Sequence, residues 1–157
     1  MPQLTRYSFG ATSAIITCLA FIISLGKITN AKFTIIGSLL VIAIADNISD
    51  SLGIHIYQES DLKKSDVVRI STFVNFLTRF FVIVVFILFV FFLPLLYASI
   101  LSIIWGISLL IILSYYIARE QKRNPYKAIV EHLVIAVAVI IVSNYISEWI
   151  SSVFYTF

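Results

Sequence analysis

Apolar residues run through this chain in five long stretches separated by short polar segments. The stretches cover residues 7–25, 33–57, 70–93, 97–117 and 128–154, each close to the ~20 residues that a membrane-crossing helix needs. They are apolar on all sides, so helical or strand periodicity carries little information within them. Residues 26–32, 58–69, a tight turn at Pro94 and residues 118–127, with an Asn124-Pro125 breaker, lie between them. The pattern predicts an all-α polytopic membrane protein, a single transmembrane domain over residues 1–157. Residues 7–25 have Arg6 before them, as a secretion signal would, but no small-x-small cleavage site precedes Lys27. They are read as a retained helix.

Composition agrees. Residues of hydrophobic type make up 61% of the chain and charged residues 12%, against about 25% in a soluble domain. No polar stretch is long enough to build a domain outside the membrane. The net charge of +3 is a matter of topology and gives no reason to expect nucleic acid. Arg6, Lys63, Lys64, Arg69, Arg119, Lys122, Arg123 and Lys127 fall on one side of the predicted spans, and only Lys27 and Lys32 on the other. The positive-inside rule therefore expects the N-terminus inside and the C-terminus outside. Membrane lipid is the expected surroundings, in the cell membrane of a prokaryote, with an organelle membrane as the other setting. The single Cys18 excludes an intrachain disulfide and a thiolate metal cluster.

Against this background the second stretch is unusual. Asp46 and Asp50 stand one helical turn apart inside it, with Asn47 between them. An ionisable group at the centre of a membrane helix costs about 2.5 to 3.5 kcal/mol on insertion scales, so each needs a partner or a use. At 1.5 Å per residue, Asp46 falls roughly 20 Å from the outer boundary of a core about 30 Å thick. Asn75 and Arg79 on the third stretch, and Glu131 and His132 on the fifth, count to a similar depth. Together these residues form a polar layer in the inner half of the membrane. Arg79 could neutralise an aspartate, with the amides acting as interhelical glue. Equally, carboxylate and amide oxygens at i, i+1 and i+4 suit Fe²⁺, Mn²⁺ or Mg²⁺, and protonatable carboxyls suit proton-coupled exchange. Asp46, Asp50 and Asn47 are thus the candidate cation ligands, and Arg79, Glu131 and His132 the candidate proton or ion-pair groups. Ser49 and Gly53, four apart, read as a helix-packing pair, as do Ser143, Ser147 and Ser151.

Two further segments carry a resemblance. Tyr7-Ser8-Phe9-Gly10-Ala11-Thr12-Ser13-Ala14-Ile15-Ile16-Thr17 and Ser49-Asp50-Ser51-Leu52-Gly53 resemble the first- and second-helix signatures of the vacuolar iron transporter family. The resemblance implies a homodimer of five-helix subunits that exchanges Fe²⁺ or Mn²⁺ for protons along a path lined by helices 1 and 2. It places Asp46 and Asp50 beside that path, Asp50 where the family often has methionine. The cation is then a substrate, and no permanently bound cofactor is expected. The chain departs from the family in having Thr12-Ser13-Ala14 in place of Asn-Asp-Gly, and in residues 58–69 being too short for a glutamate-rich cytosolic domain. A non-transporting membrane scaffold is the other reading. An enzyme is not expected: the Asp46/Asp50 pattern stops at Gly53, short of the aspartate series of CDP-alcohol phosphotransferases. No Gly-x-Ser motif accompanies His132, as an intramembrane serine protease would need.

Overall fold

The computed structural model describes residues 4–28, 30–61, 63 and 65–154. Among them all secondary structure is helical: α1 (Leu4–Leu25), α2 (Ala31–Ser60), α3 (Ser65–Phe92), α4 (Leu95–Glu120) and α5 (Pro125–Phe154). Helices α2 to α5 are long and apolar enough to cross a membrane; the apolar part of α1, Gly10–Leu25, is shorter. The helices overrun the apolar stretches because backbone hydrogen bonding continues into polar sequence that hydropathy discounts.

Local chemistry sets the ends. Pro94 (φ −55, ψ 143) has extended backbone and precedes α4, whose Ala98 N–H returns to the Pro94 carbonyl at 2.9 Å. Pro125 opens α5, where its missing N–H costs nothing, and the Asn124 side chain accepts from the Tyr126 N–H at 3.0 Å. Helix α4 closes on Lys122, left-handed at φ 56. There the Arg123 N–H reaches the Ala118 carbonyl at 2.9 Å and the Lys122 N–H the Arg119 carbonyl at 3.2 Å, which is the Schellman pattern. At the other end of the bundle, Lys32 Nζ donates to the Leu93 carbonyl at 3.2 Å, satisfying one of the last carbonyls beside α3.

Helix α1 is the hub. It packs against each of the other four helices, and Ala14, Ile15, Cys18, Leu19 and Ile22 are all but fully buried. Two glycines permit the close crossings. A Cβ on Gly10 would stand 2.5 Å from Asn75 Oδ1 and 2.9 Å from the Asn75 carbonyl, and one on Gly106 2.9 Å from Leu19 Cδ1. Helix α4 turns a stripe of mostly small residues inward, Ala98, Ser102, Gly106, Leu110, Ser114 and Ala118, the composition that lets apolar helices approach. The outward faces carry Phe33, Phe73, Phe92, Tyr97, Tyr126 and Val134, all well exposed. Exposed apolar surface on this scale is unsuited to water and compatible with lipid.

Helix α2 buries Ala31, Ile35, Leu39, Ala43, Asn47 and Ser51, an unbroken repeat of four. In a regular α-helix such a repeat drifts by about 40° at each step. The drift is partly taken up by a π turn at Ile42–Asp46, whose wider i→i+5 pitch slows the rotation. The π turn ends on Asp46, so the first carboxylate leaves the helix where its geometry is least regular.

Candidate functional site

Helices α2 and α3 run antiparallel, and the middle of α2 lies against the first half of α3. Asp46 sits at the midpoint of α2, about 22 Å of helix from either end. Arg79 of α3 is buried, at 3% exposure. One guanidinium nitrogen, Nη1, donates to Asp50 Oδ2 at 2.6 Å and to Ser13 Oγ of α1 at 2.9 Å. The other, Nη2, donates to Asp46 Oδ2. One cation thus bridges both carboxylates and ties them to α1. Arginine suits this role because its planar fork stays charged and presents several donors at once. Two carboxylates against one guanidinium leave the cluster one negative charge in excess.

The two acids are not sealed in. Asp46 is 53% exposed and Asp50 26%. Both border an open cleft of ≈ 600 Å³ on the outer face of α2, with Ser49, Gly53, Ile54, Tyr57 and Gln58 as further lining residues. Ser49 and Gly53 are exposed on this face, and a Cβ on Gly53 would meet nothing within 4 Å. Within one chain, then, this small-residue pair packs against no other helix.

Behind the acids the interface is polar and buried. Asn47 Nδ2 donates across to the Phe76 carbonyl at 3.0 Å and back to the Ala43 carbonyl at 3.3 Å. Asn75 Nδ2 reaches Ser51 Oγ at 3.3 Å, and Gln58 Nε2 reaches Ser71 Oγ at 2.8 Å. Asn47 therefore faces α3, away from the cleft that Asp46 and Asp50 border. Of the three candidate ligands, the structure brings the two aspartates together on the cleft and turns the asparagine inward. Groups of three or more His, Cys, Asp or Glu side chains placed to hold a metal are absent among the described residues.

Glu131 and His132 lie elsewhere in the bundle. His132 Nδ1 is 2.8 Å from Ser114 Oγ of α4, and Glu131 is 3.7 Å from Arg123 just before α5. Helix α5 packs against α1 and α4, so a shared depth does not bring these two residues to the Asp46–Arg79–Asp50 cluster. In their place the third contributor is Ser13 of α1. Ser13, Ser51, Gln58 and Ser71 are the site residues that hydropathy and charge do not single out; the four-residue spacing of Ser71, Asn75 and Arg79 was the available signal. Near the polar end of α2, His55 bonds Thr72 Oγ1 at 3.1 Å and Glu59 Oε1 at 3.2 Å. Ser143, Ser147 and Ser151 line a groove between α1 and α5, where Ser147 Oγ donates to the Ser24 carbonyl at 2.7 Å. Lys27 and Glu148, 2.5 Å apart, form an exposed ion pair between the loop after α1 and α5.

Comparison of the chain with protein-family models, with curated proteins and with solved structures returned no match.

Proposed function

We propose that this chain is a membrane transporter for divalent cations of the Fe²⁺/Mn²⁺ type, coupled to protons, with Asp46 and Asp50 as the groups that meet the ion. In this reading α1 is the fifth span, the N-terminus lies inside and the C-terminus outside, and the vacuolar iron transporter family is the class that the chain resembles. The observation that carries the proposal is the exposure of Asp46. A carboxylate halfway along a 30-residue apolar helix opens onto a cleft on the outside of the bundle. A charge left against lipid at that depth is costly, so the cleft calls for a polar occupant or a second subunit. A hard divalent ion takes six or more oxygens, and two carboxylates would leave most of them to water. A homodimer pairing the exposed Asp46, Ser49, Asp50 and Gly53 faces would supply four and cover the charge.

The test is Mn²⁺ flux into proteoliposomes. Asp50→Asn and Asp46→Asn are each expected to reduce it by about a hundredfold, the scale of losing roughly 3 kcal/mol of ion stabilisation, without changing the helix content. No flux in the parent for any divalent ion would remove the transport reading. A second reading, a scaffold whose polar layer is structural, draws on one observation: buried Arg79 already bonds both carboxylates.

The dimer is tested separately. A Cβ on Gly53 meets nothing within 4 Å inside one chain and the residue is exposed, so Gly53→Leu is expected to leave the monomer folded while shifting size-exclusion and crosslinking profiles from dimer to monomer. An unchanged dimer would place the subunit contact on another face.

A further inference from the structure

Helices α2 and α3 leave a second groove, of ≈ 440 Å³, which shares no lining residue with the acidic cleft. Its volume is that of a small-molecule site. The groove is graded along its length. Antiparallel pairing sets His55 beside Thr72 at one end, 3.1 Å apart, and Asn47 against the Phe76 carbonyl near the other. Arg69, His55 and Thr72 line the first end, and Ile48, Leu52, Phe73 and Phe76 give the rest its apolar wall. From Arg69 to Phe76 the groove runs about 10 Å at 1.5 Å per residue. Ile48, Leu52 and Phe73 are each more than half exposed.

Its polar end lies at a telling depth. Helix α3, with 28 residues, is about 42 Å long, against about 30 Å of hydrocarbon in a bilayer. Centred in that bilayer, it overruns each boundary by about 6 Å, which is how far Arg69 lies past Ser65. Arg69 is exposed and forms no ion pair among the described residues. The neighbouring groups are occupied. His55 is held by Thr72 and by Glu59 at 3.2 Å, and Lys63 by Asp61 at 3.1 Å. Glu59, Asp61 and Asp66, the acids of this end, do not line the groove. The free charge at its rim is therefore a guanidinium, whose fork can donate two hydrogen bonds to one phosphate.

We propose that this groove holds one phospholipid of net negative charge, its phosphate on Arg69 and an acyl chain along Leu52, Phe73, Ile48 and Phe76. The polarity of the groove matches that molecule from end to end, with a cation at the hydrocarbon boundary and an apolar wall leading from it toward the bilayer centre. A flat apolar face is covered by lipid in exchange with the bulk, whereas a concave one with a cation at its rim retains a particular molecule. The sign of the charge selects the head group. A zwitterionic head brings its own ammonium close to the guanidinium, and like charges repel; an anionic head brings none. In the orientation proposed above, this end of the bundle faces the inner leaflet, whose surface is negative. The lipid site does not rest on the transport reading, and a chain that moved no ion would still carry it.

Native mass spectrometry of the full chain released from detergent tests this, with phosphatidylglycerol, phosphatidylcholine of the same acyl chains, and inorganic phosphate as probes. The parent is expected to retain one phosphatidylglycerol per chain, about fivefold more tightly than phosphatidylcholine, the scale of one basic residue at a charged surface. Inorganic phosphate, lacking the chain, should not displace it. Arg69→Gln should abolish the preference between the two lipids. Lys127→Gln, which removes an exposed charge from the start of α5 at the same end of the bundle, should leave it intact. Leu52→Trp fills the groove from an exposed position and should lower retention of both lipids by about fivefold or more. If either variant fails to fold, Arg69→Ala and Ile48→Trp test the same two ends. Equal retention of the two lipids by the parent, or an undiminished preference in a folded Arg69 variant, would overturn the proposal. So would displacement by inorganic phosphate, which would reduce the site to a phosphate contact without a chain. A Leu52→Trp protein that keeps its lipid but loses its oligomeric state would overturn it too, and would give the groove to a second copy of the chain.

Discussion

Arg79→Gln will strip both carboxylates of their counter-charge and is expected to be the most damaging single substitution in the protein. Removing one partner of a buried ion pair costs about 3–5 kcal/mol, because the remaining charge stays behind unpaired. Here two acids lose the same partner, and Ser13 loses the bond that ties α1 to them. The half-exposed position of Asp46 argues for the lower end of that range. The origin of the loss can be isolated. Adding Asp46→Asn and Asp50→Asn removes the orphaned charges, so the triple variant should regain most of the thermal stability. Arg79→Lys should fall between, since an ammonium on a flexible stem lacks the fork that bridges two carboxylates. Thermal unfolding in nanodiscs reads all three. An Arg79→Gln protein as stable as the parent would mean that the carboxylates do not depend on the guanidinium for their place in the bundle.

Gly10→Ala is expected to cost about 2 kcal/mol, the middle of the range for overpacking a tight interior. A methyl there collides with the Asn75 carbonyl, a backbone atom that cannot step aside, as well as with the Asn75 side chain. Helix α1 would have to lift from α3 where Ser13 reaches Arg79, so loss of stability should be accompanied by loss of whatever the cluster does. Gly106→Ala provides the comparison. Its neighbour is the end of the Leu19 side chain, which can turn, and alanine gains up to about 1 kcal/mol of helix preference over glycine. Those terms nearly cancel, and unfolding temperatures close to the parent are expected. Equal losses at the two glycines would show that the crossing of α1 and α3 is no tighter than that of α1 and α4.

The comparison of sequence and structure separates depth from azimuth. Counting residues from the ends of apolar stretches places Asp46, Asp50 and Arg79 at one level, and the structure joins them. The same counting gives Glu131 and His132 that level, yet α5 stands against α1 and α4 and turns them to Arg123 and Ser114. Nothing in a uniformly apolar helix reports which way it is rotated or which helix stands beside it. Asn47 illustrates this at the scale of one residue: adjacent to Asp46 in sequence, it is buried against α3 while Asp46 borders the open cleft. The π turn that sets this phase lies in Ile42-Ala43-Ile44-Ala45-Asp46, a string with no proline or glycine to announce it. Ser13 was hidden for a similar reason, since an isolated serine in an apolar stretch looks like any other small packing residue until Arg79 is seen beside it.

The hub position of α1 has a consequence for biogenesis. It precedes the other four helices along the chain. Each of the four helices it packs against is synthesised after it. Helix α1 must therefore wait beside the growing chain until α5 has been made before its last neighbour arrives. Its registration against Asn75 and Arg79, and with it the arrangement of the acidic pair, is a late event in the maturation of this protein.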